Sequence, residues 1–149
     1  MAVQVLYQAD MAQSEISEAL RAFCDHFEAP ENIRDFVIEL ANGTHAHRKE
    51  IDSLIRRFSE HCRLERMPVV DRNILRLAIF ELLWRPDIPA KVSINEAVDL
   101  GKRYGSGDSG SFINGILDRI RIHLEEGSPG LEASSEKGGV VRTEKLRLI

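Results

Sequence analysis

Between residues 70 and 85 the chain carries Ile74, Leu75, Leu77, Ala78, Ile79, Phe80, Leu82, Leu83 and Trp84, apolar on nearly every side of a helix. A helix at a protein surface keeps one apolar stripe, whereas a helix apolar all round has to be surrounded. This segment therefore predicts a bundle with residues 70–85 at its centre. Pro68 breaks the chain just before it,. The polar exceptions within it are Asp71, Arg72, Arg76 and Glu81. Arg72 and Arg76 are four apart and so share a face.

The rest of the chain supplies helices to surround it. Residues 2–12 read as a short helix with Val3, Leu6, Tyr7 and Met11 on one stripe,. Residues 17–27 read as a second, with Ile16, Ala19, Leu20, Phe23, Cys24 and Phe27 at helical spacing and Ser14 or Ser17 as cap,. A third, long helix is expected from Pro30 to about residue 60, its face running from Ile33 and Phe36 through His47 to Phe58,. Gly43 lies inside that run and costs about 1 kcal/mol relative to alanine, which implies close packing or a bend. Arg85-Pro86-Asp87-Ile88-Pro89 is a stiff connector, and Ser93-Ile94-Asn95-Glu96 reads as a capping box opening a helix to about Tyr104,. The loop 105–111 leads to a last helix, about 111–126, with Ile113, Ile116, Leu117, Ile120 and Leu124 buried and Gly115 allowing close contact with a neighbour. From Gly127 the composition turns to Gly, Ser, Pro and charge, which reads as a disordered tail over 127–149,. The expected fold is all-α: six to seven helices in one domain over 1–126, built from two packed helical bundles, about 1–61 and 62–126.

Charge narrows the functional classes. The net charge of −4 argues against a stand-alone nucleic-acid binder,. Residues 1–61 hold 11 acids and 6 bases, residues 62–126 hold 10 of each, and the tail holds 3 acids and 4 bases. Any basic patch is therefore local, and its affinity is modest unless a partner helps. No apolar run approaches the ~20 residues that span a bilayer. The N-terminus has no basic and then apolar leader, so no membrane role and a cytoplasmic location are expected. Cys24 and Cys62 fit no CxxC pattern and read as reduced, structural thiols,.

Signals for catalysis are weak. No GxSxG, HExxH, P-loop or GxGxxG motif occurs,. His45 and His47 are two apart on a helix and point to different faces, a poor metal pair. The chain reads as a non-enzyme with no cofactor and no metal. For nucleic acid the usable side chains are Arg72, Arg76, Lys102, Arg103, Phe112 and Asn114: arginines for phosphate, an aromatic ring for stacking, an amide for a base edge. Surface arginines and a core phenylalanine explain the same residues.

A resemblance then sharpens the reading. Val70-Asp71-Arg72-Asn73-Ile74-Leu75-Arg76-Leu77-Ala78-Ile79-Phe80-Glu81 resembles the central helix of the NusB family. So do Asp87-Ile88-Pro89, Val92-Ser93-Ile94-Asn95-Glu96-Ala97-Val98, and Phe112-Ile113-Asn114-Gly115-Ile116-Leu117-Asp118. Ala2-Val3-Gln4-Val5-Leu6-Tyr7-Gln8 resembles its first helix, so that the likeness spans about residues 2–122. It implies a transcription antitermination factor that binds the boxA segment of nascent ribosomal RNA as single-stranded RNA. The binding is shared with NusE, a small-subunit ribosomal protein, in an antitermination complex on RNA polymerase. By matching position, Tyr7 and Asp71 are implied as NusE contacts. Arg76, Asp108 and Phe112 are implied on the RNA side, with Gln4 and Arg72 as weaker candidates. Asn95, Asn114 and Asp118 are alternatively buried polar groups at helix junctions. The related module of ribosomal RNA cytosine methyltransferases, and a helical scaffold without RNA binding, are the competing readings.

Family members carry an arginine-rich segment just before the first helix, whereas this sequence opens at Met1 inside it. The expectation is that the polypeptide begins upstream, or that this version binds RNA poorly.

Overall fold

The computed structural model describes residues 1–60 and 62–127. Seven α-helices follow in order: α1 (Ala2–Ala12), α2 (Ile16–His26), α3 (Glu31–Ala46), α4 (Arg48–Phe58), α5 (Val69–Trp84), α6 (Ala90–Tyr104) and α7 (Ser109–Glu126). A single 3-10 turn, Leu64–Arg66, sits between α4 and α5. No strand occurs among the described residues. The tail reading falls, beyond Gly127, outside them.

Helix α5 is the hub. It packs against α1, α3, α4, α6 and α7, which is why eleven of its sixteen residues are buried. Helices α1, α2 and α3 pack on one another, and α6 pairs with α7. Helix α4 leaves α3 and packs on α5 and α7. Ile51, Leu54 and Ile55 of α4 thus join Ile113, Ile116, Leu117 and Ile120 of α7 among the most buried side chains. All of the buried apolar residues form one continuous core.

Several local expectations change. The long third helix is two helices, broken at His47 (φ −103°, ψ 18°). There the imidazole stacks on Trp84 with ring centres 4.0 Å apart, and Phe80 stacks in turn on Trp84 at 5.7 Å. Turning at His47 sends α4 toward α7 instead of continuing past the first bundle. Ile33 and Phe36, expected on the buried face, are exposed, as is Met11 of α1. The Ser93–Glu96 box lies inside α6, because Pro89 (φ −58°, ψ 141°) already occupies the cap position and Ser93 is buried,. Neither Ser14 nor Ser17 caps α2; Glu15 stands at that position without a side-chain bond. Asn95 and Asn114 are exposed, not buried at junctions, and Asp118 bonds Arg121 at 2.9 Å. Helix α1 ends at Gln13, whose left-handed conformation (φ 49°) does the work glycine usually does,. Its neighbour Ser14 donates its backbone N–H to the Ala9 carbonyl at 3.0 Å.

Two helical glycines answer in opposite ways. A methyl at Gly43 would fall inside the Phe80 ring, so close packing is the reason for this glycine. Gly115 faces open space with nothing within 4 Å, contrary to the expected close contact. Gly43→Ala should therefore lower stability by about 1–3 kcal/mol despite its better helix propensity, whereas Gly115→Ala should raise it by up to about 1 kcal/mol. Urea melts of the two variants check both signs.

Candidate nucleic-acid and partner interface

The polar exceptions on α5 resolve into separate arrangements. On the side facing α1 and α4, Arg72 donates from Nε and Nη2 to both oxygens of Asp10, at 2.7 and 2.9 Å. Arg76 makes the same two-pronged bond to Asp52 of α4, at 2.8 and 3.1 Å. Its remaining nitrogen, Nη1, reaches Asp10 at 2.9 Å. Asn73 completes the set, donating to Asp10 at 2.9 Å and to the Val69 carbonyl at 2.8 Å. Planar guanidinium–carboxylate pairs of this kind are geometrically exacting. Burial by itself would raise the Asp10 carboxyl. The bonds from Arg72 and Asn73 and the charges of Arg76 and Arg72 outweigh it and hold the group at about 2.

Sequence reasoning found the two arginines and missed their partners. Asp10 lies 62 residues before Arg72 and Asp52 lies 24 before Arg76, and no local pattern marks either. The arginines line a polar cleft of about 620 Å³ with Arg48, Arg56, His45 and Glu65. Arg48 lies 3.5 Å from Asp52, and Arg56 bonds Glu65 at 3.1 Å. Every arginine of the cleft thus faces a carboxylate, and the guanidinium of Arg76 is almost fully buried.

On the opposite side of α5, Asp71 is buried and accepts the Ser109 hydroxyl at 2.9 and 3.0 Å. Burial pushes its carboxyl up, against the hydroxyl, which pulls it down. Ser109 Oγ also accepts the backbone N–H of Ser106 at 2.9 Å. The clasp ties the start of α7 and the 105–108 loop to α5. Phe112 is half-buried against the core one turn into α7, and Asp108 is exposed at its cap.

Gln4 and Tyr7 project from α1 into a wider groove of about 820 Å³, between α1, α2 and the end of α6. Phe27, Arg103 and Tyr104 complete its aromatic and basic lining. The Arg103 guanidinium lies 6.0 Å from the Tyr104 ring centre, and Phe27 stacks on Phe23 at 4.9 Å. Val70, next to Asp71, lines the same groove. Gln4, Tyr7 and Arg103 are thereby brought together, while Arg72 and Arg76 lie apart on the acid-lined cleft. Tyr104 and Phe27 were not singled out as binding residues. Tyr104, beside Arg103 at a helix end, carried a local signal; Phe27, read as part of the second helix's apolar stripe, instead caps α2 and is exposed, and nothing local marks that.

Comparison with known proteins decides the family, since the NusB family model matches residues 1–121. The chain belongs to the NusB family. A transcription antitermination protein NusB from Desulforapulum autotrophicum is 50% identical over 124 residues, covering 82% of this chain and 87% of the relative. The solved NusB of T. maritima superposes with a TM-score of 0.74 at 36% identity, covering 79% of this chain and 83% of that one. A crystal structure of the antitermination factors NusB and NusE in complex with dsRNA matches with a TM-score of 0.71 at 28% identity, covering 79% and 88%. The all-helical NusB fold expected from the motifs is the fold observed. Among the described residues, no helix is long and apolar enough to cross a membrane.

The buried network makes a pH-dependent contribution. An aspartate whose pKa is lowered on folding stabilises the protein fully above its ordinary value, and the contribution is lost as pH falls through the folded one. For Asp10 the window is about pH 4 down to about 2, and the contribution is on the order of 2 kcal/mol. Asp10→Asn should flatten the acid limb of a stability-against-pH curve measured by urea denaturation. Arg76→Met leaves Asp52 with only the half-exposed Arg48 and takes one bond from Asp10, and should cost about 3 kcal/mol or more,, whereas Arg48→Ala, at the exposed edge, should cost less than about 1.

Proposed function

We propose that this chain is a transcription antitermination factor that binds boxA-type single-stranded RNA of nascent ribosomal RNA together with NusE. It then acts within an antitermination complex on RNA polymerase, by binding and without catalysis. The family match over residues 1–121 carries the reading. The resemblance to a NusB that is solved with NusE and RNA supports it.

The roles divide by what each side chain is free to do. Gln4, Asp108 and Phe112 are proposed for RNA, with Arg103 beside Gln4 supplying positive charge. Tyr7 is proposed for NusE. Arg72, Arg76 and Asp71 are proposed to serve these surfaces indirectly: the arginines fix α1, which carries Gln4 and Tyr7, and Asp71 fixes the start of α7, which carries Phe112. A scaffold that brings NusE without touching RNA is the second reading. It is favoured by the pairing of Arg72 and Arg76 with carboxylates.

Binding of a boxA-type RNA by fluorescence anisotropy, with and without NusE, tests the proposal. Weak binding alone and much tighter binding with NusE is expected. RNA affinity unaffected by NusE and by every substitution below would favour the scaffold. Phe112→Ala should cost about 1–3 kcal/mol of RNA affinity if its ring stacks on a base; a lower melting temperature with unaltered affinity would make it a core residue. Arg103→Ala should reduce the salt slope by about 0.7 if it meets phosphate. Tyr7→Ala should lose NusE affinity and keep residual RNA binding.

A further inference from the structure

A second groove, of about 460 Å³, runs between α3, α5 and α6 and begins beside Met1. Its outer walls are Ile33 and Phe36 of α3 and Val92 of α6, which are 36%, 42% and 48% exposed. Eight large apolar residues are exposed among the described residues. Four of them, these three and Met1, line this groove. Scattered exposed apolar residues need no explanation, but a contiguous group does. The charged side chains on its lining are Glu81 and Glu96, with no basic side chain among them, and the Met1 ammonium lies at its end. Glu81 rises from the central helix, and burial pushes its carboxyl up against the Ser93 hydroxyl, which lowers it. Arg85, at the end of α5, sits 5.3 Å over the Phe36 ring and pairs with Asp87 and Glu39, at 2.8 and 2.9 Å, while its charge also favours the Glu81 carboxylate. The groove that holds Gln4 and Tyr7 has the opposite character, with Arg103 and His26 on its lining.

We propose that the groove between α3, α5 and α6 is a docking site for a basic amphipathic helix of a partner protein. The partner's apolar face lies on Ile33, Phe36 and Val92, and its lysines or arginines approach Glu81 and Glu96. A helix is the fitting shape because a groove between helices takes anchors at i, i+3 or i+4, and i+7. The partner is basic because carboxylates at an apolar wall gain most from a cation brought into the same desolvated site. Nucleic acid is disfavoured there, since phosphates would meet two acids. The groove meets the one that holds Gln4 and Tyr7 at Met1, Val3 and Leu100, but none of Gln4, Tyr7, Asp108 and Phe112 lines it, so its failure leaves that reading untouched.

The test uses a fluorescein-labelled helical peptide of leucine, alanine and lysine, with leucines at helical spacing. A twin carries glutamate for every lysine. Both are titrated with the full chain by anisotropy. The lysine peptide should bind at least tenfold more tightly than its twin. Phe36→Ser and Val92→Ser should each weaken it tenfold or more, and Glu96→Gln several-fold, with the Glu96 effect largest at low salt. All three side chains are exposed, so the variants should keep the parent's helical circular dichroism. Should one fail to fold, the other two decide. Equal binding of the twins, or lysine-peptide affinity unchanged in Phe36→Ser and Val92→Ser, would overturn the proposal. So would displacement of the peptide by boxA-type RNA without NusE.

Discussion

Two aspartates from different helices, closed on two arginines of the central one, set the arrangement of everything around them. Asp10 of α1 and Asp52 of α4 take Arg72, Asn73 and Arg76 in bonds of 2.7–3.1 Å. Such a cluster adds little net stability over well-packed apolar groups, because desolvating the charges offsets most of their attraction. What it supplies is geometry. Apolar helices can slide or rotate on one another at small cost, but a two-pronged guanidinium–carboxylate pair tolerates neither. The register of α1 against α5, and hence the place of Gln4 and Tyr7, follows from it.

Clasps of the same logic hold the other side. The Asp71–Ser109 bond fixes where α7 begins, and the stack of His47 on Trp84 fixes where α3 gives way to α4. Each joins a residue of α5 to a point where the chain changes direction. The residues proposed for RNA take no part in these fastenings: Gln4 and Asp108 are exposed, and Phe112 is half-buried.

The fold was largely legible because apolar spacing is a local signal. The all-round apolar pattern of 70–85 announced the central helix, and the stripes of α1, α2 and α7 fell within a residue or two of where they form. Long-range chemistry was not legible. Arg76 reads as a phosphate ligand when its only visible neighbour is Arg72; across the fold it meets Asp52, which the sequence presents as one more acid on a charged helix. The break at His47 was hidden because the apolar spacing runs through it, and aromatic stacking at a distance of 37 residues decides it. Ser93 and Glu96 form a capping box by spacing, but Pro89 starts the helix one turn earlier. Family motifs named candidate residues without distinguishing side chains free to meet a ligand from those already bonded within the fold, as Arg72, Arg76 and Asp71 are.

Because α5 is shared, the division into two bundles is architectural and not thermodynamic. Each bundle contributes walls, and the same sixteen residues of α5 supply the interior of both. Removing either set of walls exposes that helix to water along a whole side, so the other set loses its core as well. A protein built this way is expected to melt in a single cooperative step, since neither half keeps its core without the other.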